Sequence, residues 1–251
     1  MSARILMAAV FCLVCLPWLG CNDTTGGSLV SFQAAVGGAQ GLGSGGPIEF
    51  DTGSGFHVQL TSARFHLGAV YLNMAVPSSG GPAEPCILPG IYVGQVMGGC
   101  DAGSGVCGLD VDLLSPQLVP FPMGGQGTAD QAAEAEIWLT GGDINAPDDP
   151  TPILKASGTA TRGGQTWPFS ATVTIGQNRA LPVQNQAMPG ANPICHRRIV
   201  TPIGVHFALV QDGTLTLRID PRSMWNGVDF STLMLSGGMA PPYVIPDQSD
   251  G

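Results

Sequence analysis

The chain of 251 residues carries a net charge of −9, and Lys155 is its only lysine. So few cations cannot neutralise a phosphate backbone, which excludes nucleic acid as a partner, and anionic headgroups repel the chain rather than hold it. With 37 Gly and 21 Pro beside 44% hydrophobic residues, it has too many helix breakers for a helical protein and too much apolar content for a disordered one.

The N-terminus reads as an export signal. Arg4 precedes an apolar run over 5–20 that ends on the small residue Gly20. Pro17 interrupts the run, which is short of the roughly 20 apolar residues a membrane span needs. Trp18-Leu19-Gly20-Cys21 resembles the bacterial lipobox, in which a small residue precedes a cysteine that is acylated and becomes the first residue. Leu19 and Gly20 fit that pattern, whereas Trp18 stands where an aliphatic residue is usual. The expectation is a lipoprotein signal peptide over 1–20, with Cys21 carrying palmitate-type chains that hold the protein to a membrane. Two or three chains give stable anchoring where one does not. Asn22 after the cysteine favours the outer membrane of the cell envelope by analogy with enterobacterial sorting.

The cysteines fit an oxidising compartment. Of seven, Cys12 and Cys15 leave with the signal and Cys21 takes lipid, so Cys86, Cys100, Cys107 and Cys195 remain. An even set in an exported chain reads as two disulfides with three pairings open. The short loop between Cys100 and Cys107 favours that pair, leaving Cys86 with Cys195, whose long loop contributes about 4 kcal/mol in the entropic account. A four-thiolate metal site needs CxxC-like spacing, which is absent.

Along the mature chain, 22–28 is a polar tether and 28–36 a first strand. Residues 37–47 form a Gly-rich connector with no GK[ST] ending to make it a phosphate cradle. FHVQLTSARFHLGAVYLNM, over 56–74, is the strongest β region, with Gly68 as a bend. A loop over 77–85 follows, then strands at 87–96 and 109–114. Helix-like composition at 129–135 runs into the alternating AEAEIWLT. Strands 153–162 and 165–175 flank Gly163-Gly164, the signature of a tight hairpin. A loop covers 177–193. Strands 199–210 and 214–219 suggest a second hairpin around Gln211-Asp212-Gly213, followed by one helical turn at 220–226 and a last strand at 228–235. The expected architecture is all-β: an antiparallel sandwich or open barrel with long Gly/Pro-rich loops, one domain over 29–236 and a flexible tail over 237–251.

Chemistry is sparse. No G-x-S-x-G occurs, so nothing marks a nucleophile elbow. The four histidines are His57, His66, His196 and His206, with neither HExxH nor His-x-His spacing. His57 and His66, nine apart, fall on opposite faces of an unbroken strand. Each histidine reads more readily as a satisfied surface group than as a ligand. Met97, Met123 and Met188 supply soft sulfur for copper but read better as packing residues. Asp143, Asn145, Asp148 and Asp149 crowd one loop with the oxygen ligands of a calcium site, though not in EF-hand order. Trp138 and Trp167 sit in strand patterns and read as core rather than as sugar-stacking platforms.

Three phrases, FHVQLTSARFHLGAVYLN, PGIYVGQV followed by LDVDLL, and IDPRSMWNGVDFSTL, resemble a group of lipoproteins of unknown function from myxobacteria and related deltaproteobacteria. That resemblance implies lipoprotein status and one continuous domain, and no catalytic residues. The expected function is therefore a non-enzymatic binding or structural module of the cell envelope, anchored by lipid and without a resident cofactor, with an envelope protein as a partner. The alternative is an envelope lipoprotein binding copper, zinc or calcium.

Overall fold

A computed structural model describes residues 27–43, 45–75, 91–99, 108–139, 151–174, 203–238 and 240–247, and the backbone alone at 86–87, 194–195 and 199–202. Its strands in chain order are β1 (Leu29–Gly38), β2 (Ile48–Asp51), β3 (His57–Leu67), β4 (Ala69–Asn73), β5 (Cys86–Ile87), β6 (Tyr92–Met97), β7 (Leu109–Asp112), β8 (Val119–Pro120) and β9 (Gly125–Thr128). Then come β10 (Gln131–Trp138), β11 (Pro152–Arg162), β12 (Gln165–Thr174), β13 (Ile194–Cys195), β14 (Ile199–Ala208), β15 (Gly213–Ile219), β16 (Met234–Ser236) and β17 (Ala240–Ile245). Two 3-10 turns, Pro221–Trp225 and Phe230–Thr232, precede β16. The protein is all-β, as its breaker-rich composition requires, and 129–135 joins a strand rather than a helix.

The first sheet runs β14-β10-β4-β6-β9-β1-β15, with β8 also on β1, and curls into a half-barrel. The second runs β16-β17-β12-β11-β3-β2, with β7 also on β3. One hydrophobic core joins them. The long β region bends at Gly68 and so changes sheet, β3 lying in the second and β4 in the first. Gly68 is held at the corner from both sides: its N–H donates to the Trp138 carbonyl at 2.8 Å, and its carbonyl accepts from Gly98 at 2.7 Å.

Local patterning explains the second sheet. β11 and β12 alternate and meet at Gly163 and Gly164, whose φ of 60° and 81° is the left-handed pair a two-residue hairpin needs. The inward rings form a cluster with the 3-10 turns. Phe56 meets Trp167 at 5.4 Å and Phe230 at 5.2 Å, and Phe169 meets Phe230 at 4.8 Å and Trp225 at 5.1 Å. Trp167 is thus a core residue, as its strand pattern suggests.

The fold departs from the sequence reading in three places. First, β9 lies in GQGT, which has no side-chain pattern of a strand. Gly125 faces Phe32, and Gly127 faces Gly94. A Cβ on Gly94 or Gly127 would lie 2.6 Å or 2.8 Å from Leu209 Cδ1, and one on Gly125 only 2.2 Å from the Phe32 ring. These glycines make room on the inner wall for Leu209 and Phe32. Second, β14 and β15 do not form the expected hairpin. Their turn is tight, with Gly213 N–H on the Val210 carbonyl at 3.1 Å and Asp212 at φ 58°, but β15 pairs parallel with β1 from Phe32↔Gly213 to Gly38↔Ile219. The turn is drawn to β1 by Asp212 N–H on the Ser31 carbonyl at 2.8 Å and Ser31 N–H on Gln211 Oε1 at 2.9 Å.

Third, the segment expected to be a free tail over 237–251 supplies β17, which pairs parallel with β12. Tyr243 and Ile245 pack on the core, and Asp247 Oδ1 accepts from Thr174 N–H at 2.8 Å. Its prolines do not prevent this, because Pro241 and Pro242 fall at the register shift of the β16 ladder and outside the β12 ladder, which runs from Tyr243 to Ile245. The expected strand over 228–235 is instead broken by a 3-10 turn that Asp229 caps by accepting from Ser231 N–H.

Gly127→Val tests the inner wall, since its Cβ would stand 2.4 Å from the Val93 carbonyl oxygen, which is backbone and cannot rotate away. Urea unfolding should show a loss of about 3 kcal/mol or more, beyond ordinary overpacking. A loss under about 1 kcal/mol would mean that β9 does not approach β6 this closely.

Candidate ligand cavity

β15 pairs with β1 and β14 with β10, and no ladder joins β14 to β15, so the half-barrel is open along one side. A cavity of about 550 Å³ lies behind that opening. Period-2 alternation decides what faces it. Val70 and Leu72 on β4, Ala135 and Ile137 on β10, and Phe32 on β1 form the back wall. Ile203, Val205 and Phe207 on β14, with Leu215 and Leu217 on β15, form the two sides. The wall residues are buried, but the side residues are only half-buried. Their outward neighbours Gly204, His206, Thr214 and Thr216 are exposed. Among the described residues nothing fills this mouth, which is framed by apolar side chains that a closed barrel would cover. Each further Å² removed from water there contributes about 25 cal/mol.

The reverse of the same wall is polar. Asn73, Glu134 and Glu136 lie on the outer face of β4 and β10 and are almost wholly buried. Asn73 Nδ2 donates to Glu134 Oε2 at 2.6 Å and to Glu136 Oε1 at 3.1 Å. Trp138 Nε1 donates to Glu136 Oε2 at 3.2 Å. Burial pushes the Glu136 carboxyl above the usual range; the neighbouring Glu134 charge adds to this and the Trp138 and Asn73 hydrogen bonds oppose it. Burial, then the Glu136 charge, likewise raises the Tyr71 phenol. Trp138 is half-buried and tilts over Tyr71 at 4.4 Å, so it belongs to this outer face and not to the core that its strand pattern suggested. AEAEIW announces two acids on one face of a strand, but alternation alone assigns them to solvent.

The sequence-predicted metal candidates do not converge. β3 carries a bulge at Thr61, where Ser62 pairs with Ser157 but Leu60 with Gly158. The bulge inverts the alternation, so His57 and His66 share the outer face instead of opposing one another. They remain roughly 30 Å apart along the strand. Half-exposed His57 bonds through Nδ1 to Asp51 Oδ1 at 2.9 Å and has Glu49 at 3.8 Å. Buried His66 bonds through Nδ1 to Asp110 Oδ1 at 2.8 Å. His206 lies exposed on the outer side of β14. Among the described residues no three His, Cys, Asp or Glu gather as a metal site. His196, Asp143, Asn145, Asp148 and Asp149 lie outside the described residues, as do Cys21, Cys100 and Cys107.

A second depression, about 370 Å³, sets Arg64 opposite Lys155 beside His66. Arg64 also faces Asp112 across the β3–β7 ladder, and His66 bonds to Asp110. No family model, curated protein or solved structure matches the chain.

The raised Glu136 sets a pH dependence. Between the unfolded value of 4.5 and the raised folded value, the native state keeps a proton that the unfolded chain releases, so stability falls as pH rises through that interval. Glu136→Gln cannot ionise. Its melting temperature should show a flatter decline over the window from about pH 4.5 upward than the parent's. Identical slopes would remove Glu136 as the titrating group.

Proposed function

We propose that this protein is a non-enzymatic binding module of the cell envelope, held to the membrane through lipid on Cys21, that carries an apolar ligand in its unclosed barrel. One observation carries the reading: a long apolar cavity whose mouth residues stay half-exposed. Ligand sites are concave, mostly apolar and few per protein. Among the described lining residues only His206 titrates, and it points outward. A site so lined has neither a nucleophile nor an acid–base pair to offer a substrate, and suits holding rather than converting.

The cysteine framework supports an exported chain. The β5–β13 ladder sets Cys86 directly opposite Cys195. Directly opposed residues of an antiparallel ladder have Cα atoms about 4.5–5.5 Å apart, within the span of a disulfide. Gly108 N–H bonds to the Gly99 carbonyl at 2.8 Å, which brings together the two ends from which Cys100 and Cys107 depart. Both pairings favoured by sequence therefore start from short backbone separations.

Two measurements test the proposal. Intact mass of the chain extracted from its native membrane should show cleavage before Cys21, an acylated N-terminus and the hydrogen deficit of two disulfides. A chain with an unmodified Cys21 overturns the anchor. Titration with Nile red, a neutral apolar dye, should give saturable one-site fluorescence enhancement. Val205→Asp and Leu217→Asp, which place a charge in the cavity, should each weaken it about tenfold or more. Dye binding indifferent to both substitutions overturns the cavity as the site.

A further inference from the structure

We infer that the cavity takes one acyl chain of a membrane lipid whose head is uncharged or zwitterionic, admitted sideways between β14 and β15. This rests on the proposed reading of the cavity as a ligand site and of Cys21 as the anchor. Four observations select that occupant.

The first is shape. From Ile203 on β14 to Leu209 just beyond its end, the inward row runs about 20 Å at the rise of a β-strand, with Leu215 and Leu217 facing it from β15. The cavity is a trough whose length suits a chain better than a compact ring system. The second is chemistry. The inward row of β14 and β15 offers no charged group, so whatever lies inside forms no ion pair there, and a buried unpaired polar group is costly. A methylene chain has none. The third is the mouth. β14 and β15 diverge directly from their turn, so the trough opens along its side and a head attached to the chain stays in water. Among the described residues, those exposed beside that slot are His206, Thr214 and Thr216, none of them a fixed cation, and the next outward residue of β15, Arg218, is turned to the Gly38 and Pro116 carbonyls, in a protein of net charge −9. An anionic head meets repulsion there, and a neutral or zwitterionic one does not.

The fourth is position. The closed end of the trough is the turn bonded to Ser31, in the first residues of β1. Leu29 and Val210, 77% and 55% exposed, stand at this same end. Residues 21–28, leading from the anchor into Leu29, span at most about 28 Å when fully extended. The acyl-binding trough is thereby kept within one tether length of the bilayer, the source of acyl chains.

The test uses the full mature chain with Cys21→Ser, which stays in water and has no lipid of its own to compete. Nile red bound in the cavity is displaced by monooleoylglycerol (neutral), lysophosphatidylcholine (zwitterionic) or oleate (anionic) at low salt. The first two should displace it with one-to-one stoichiometry, and oleate should be about tenfold weaker. Thr216→Lys, an exposed change beside the slot, should bring oleate close to monooleoylglycerol while leaving the latter unchanged. If the dye binds but no acyl lipid displaces it, this inference fails and the ligand-site reading stands. If the dye itself does not bind, both fail. Oleate as strong as monooleoylglycerol on the unmodified mouth overturns the choice of head. Dye binding lost as the protein dimerises with concentration shows that a second copy covers the trough.

Discussion

Everything particular to this half-barrel depends on the parallel pairing of β1 with β15. Two strands joined by a tight turn normally take each other as partners, because a local ladder loses little chain entropy. Here the turn is fastened elsewhere. Gln211 and Asp212 both bond to Ser31, some 180 residues away in the chain, and seven successive residues of β15 then run beside β1. β1 takes one edge of β15 and β10 one edge of β14, and no ladder joins their other edges, so the sheet ends in two edges that share a turn but diverge. The opening is thus a consequence of strand order. No side chain has to be removed to make it.

The wall opposite the mouth has to curl tightly for the two edges to face one space. Gly94, Gly125 and Gly127 allow it, because side chains at those inner positions would occupy the places of Leu209 and Phe32. Leu209 also ties the two ends together: its N–H bonds to the Asp130 carbonyl just before β10, and its side chain rests on the glycines of β6 and β9. One residue next to the turn therefore fixes both the start of the divergence and the floor of the trough.

What was legible in the sequence follows from how local each determinant is. The β11–β12 hairpin is written in adjacent residues, two alternating runs around Gly163-Gly164, and it forms as read. The bend at Gly68 and the all-β class are equally local. β9 was not legible because its inner residues are glycines, and a strand whose function is to leave room shows no hydrophobic pattern. The partner of β15 was not legible because the decision is made by Ser31, far away in the chain. The relation of His57 to His66 was misread because a bulge at Thr61, invisible in composition, inverts the alternation. The cavity lining was half legible. Val205, Phe207, Leu215 and Leu217 alternate plainly, but alternation says only that they face inward, and not that the interior is left unfilled.

β4 and β10 show why the cavity is firm at the back and soft at the mouth. Their inner face gives Val70, Leu72, Ala135 and Ile137 to the trough; their outer face buries Glu134 and Glu136 around Asn73. Buried acids hydrogen-bonded across a strand pair strongly disfavour any slip in register, since a one-residue shift would separate them from Asn73 and expose the apolar row. The back wall is thereby specified from both sides. β15 has a single ladder, to β1, and β14 has a single ladder, to β10, interrupted by two register shifts. Apolar residues on such singly held strands move at lower cost than those on the wall, so adaptation to an occupant is concentrated at the two edges that frame the entrance.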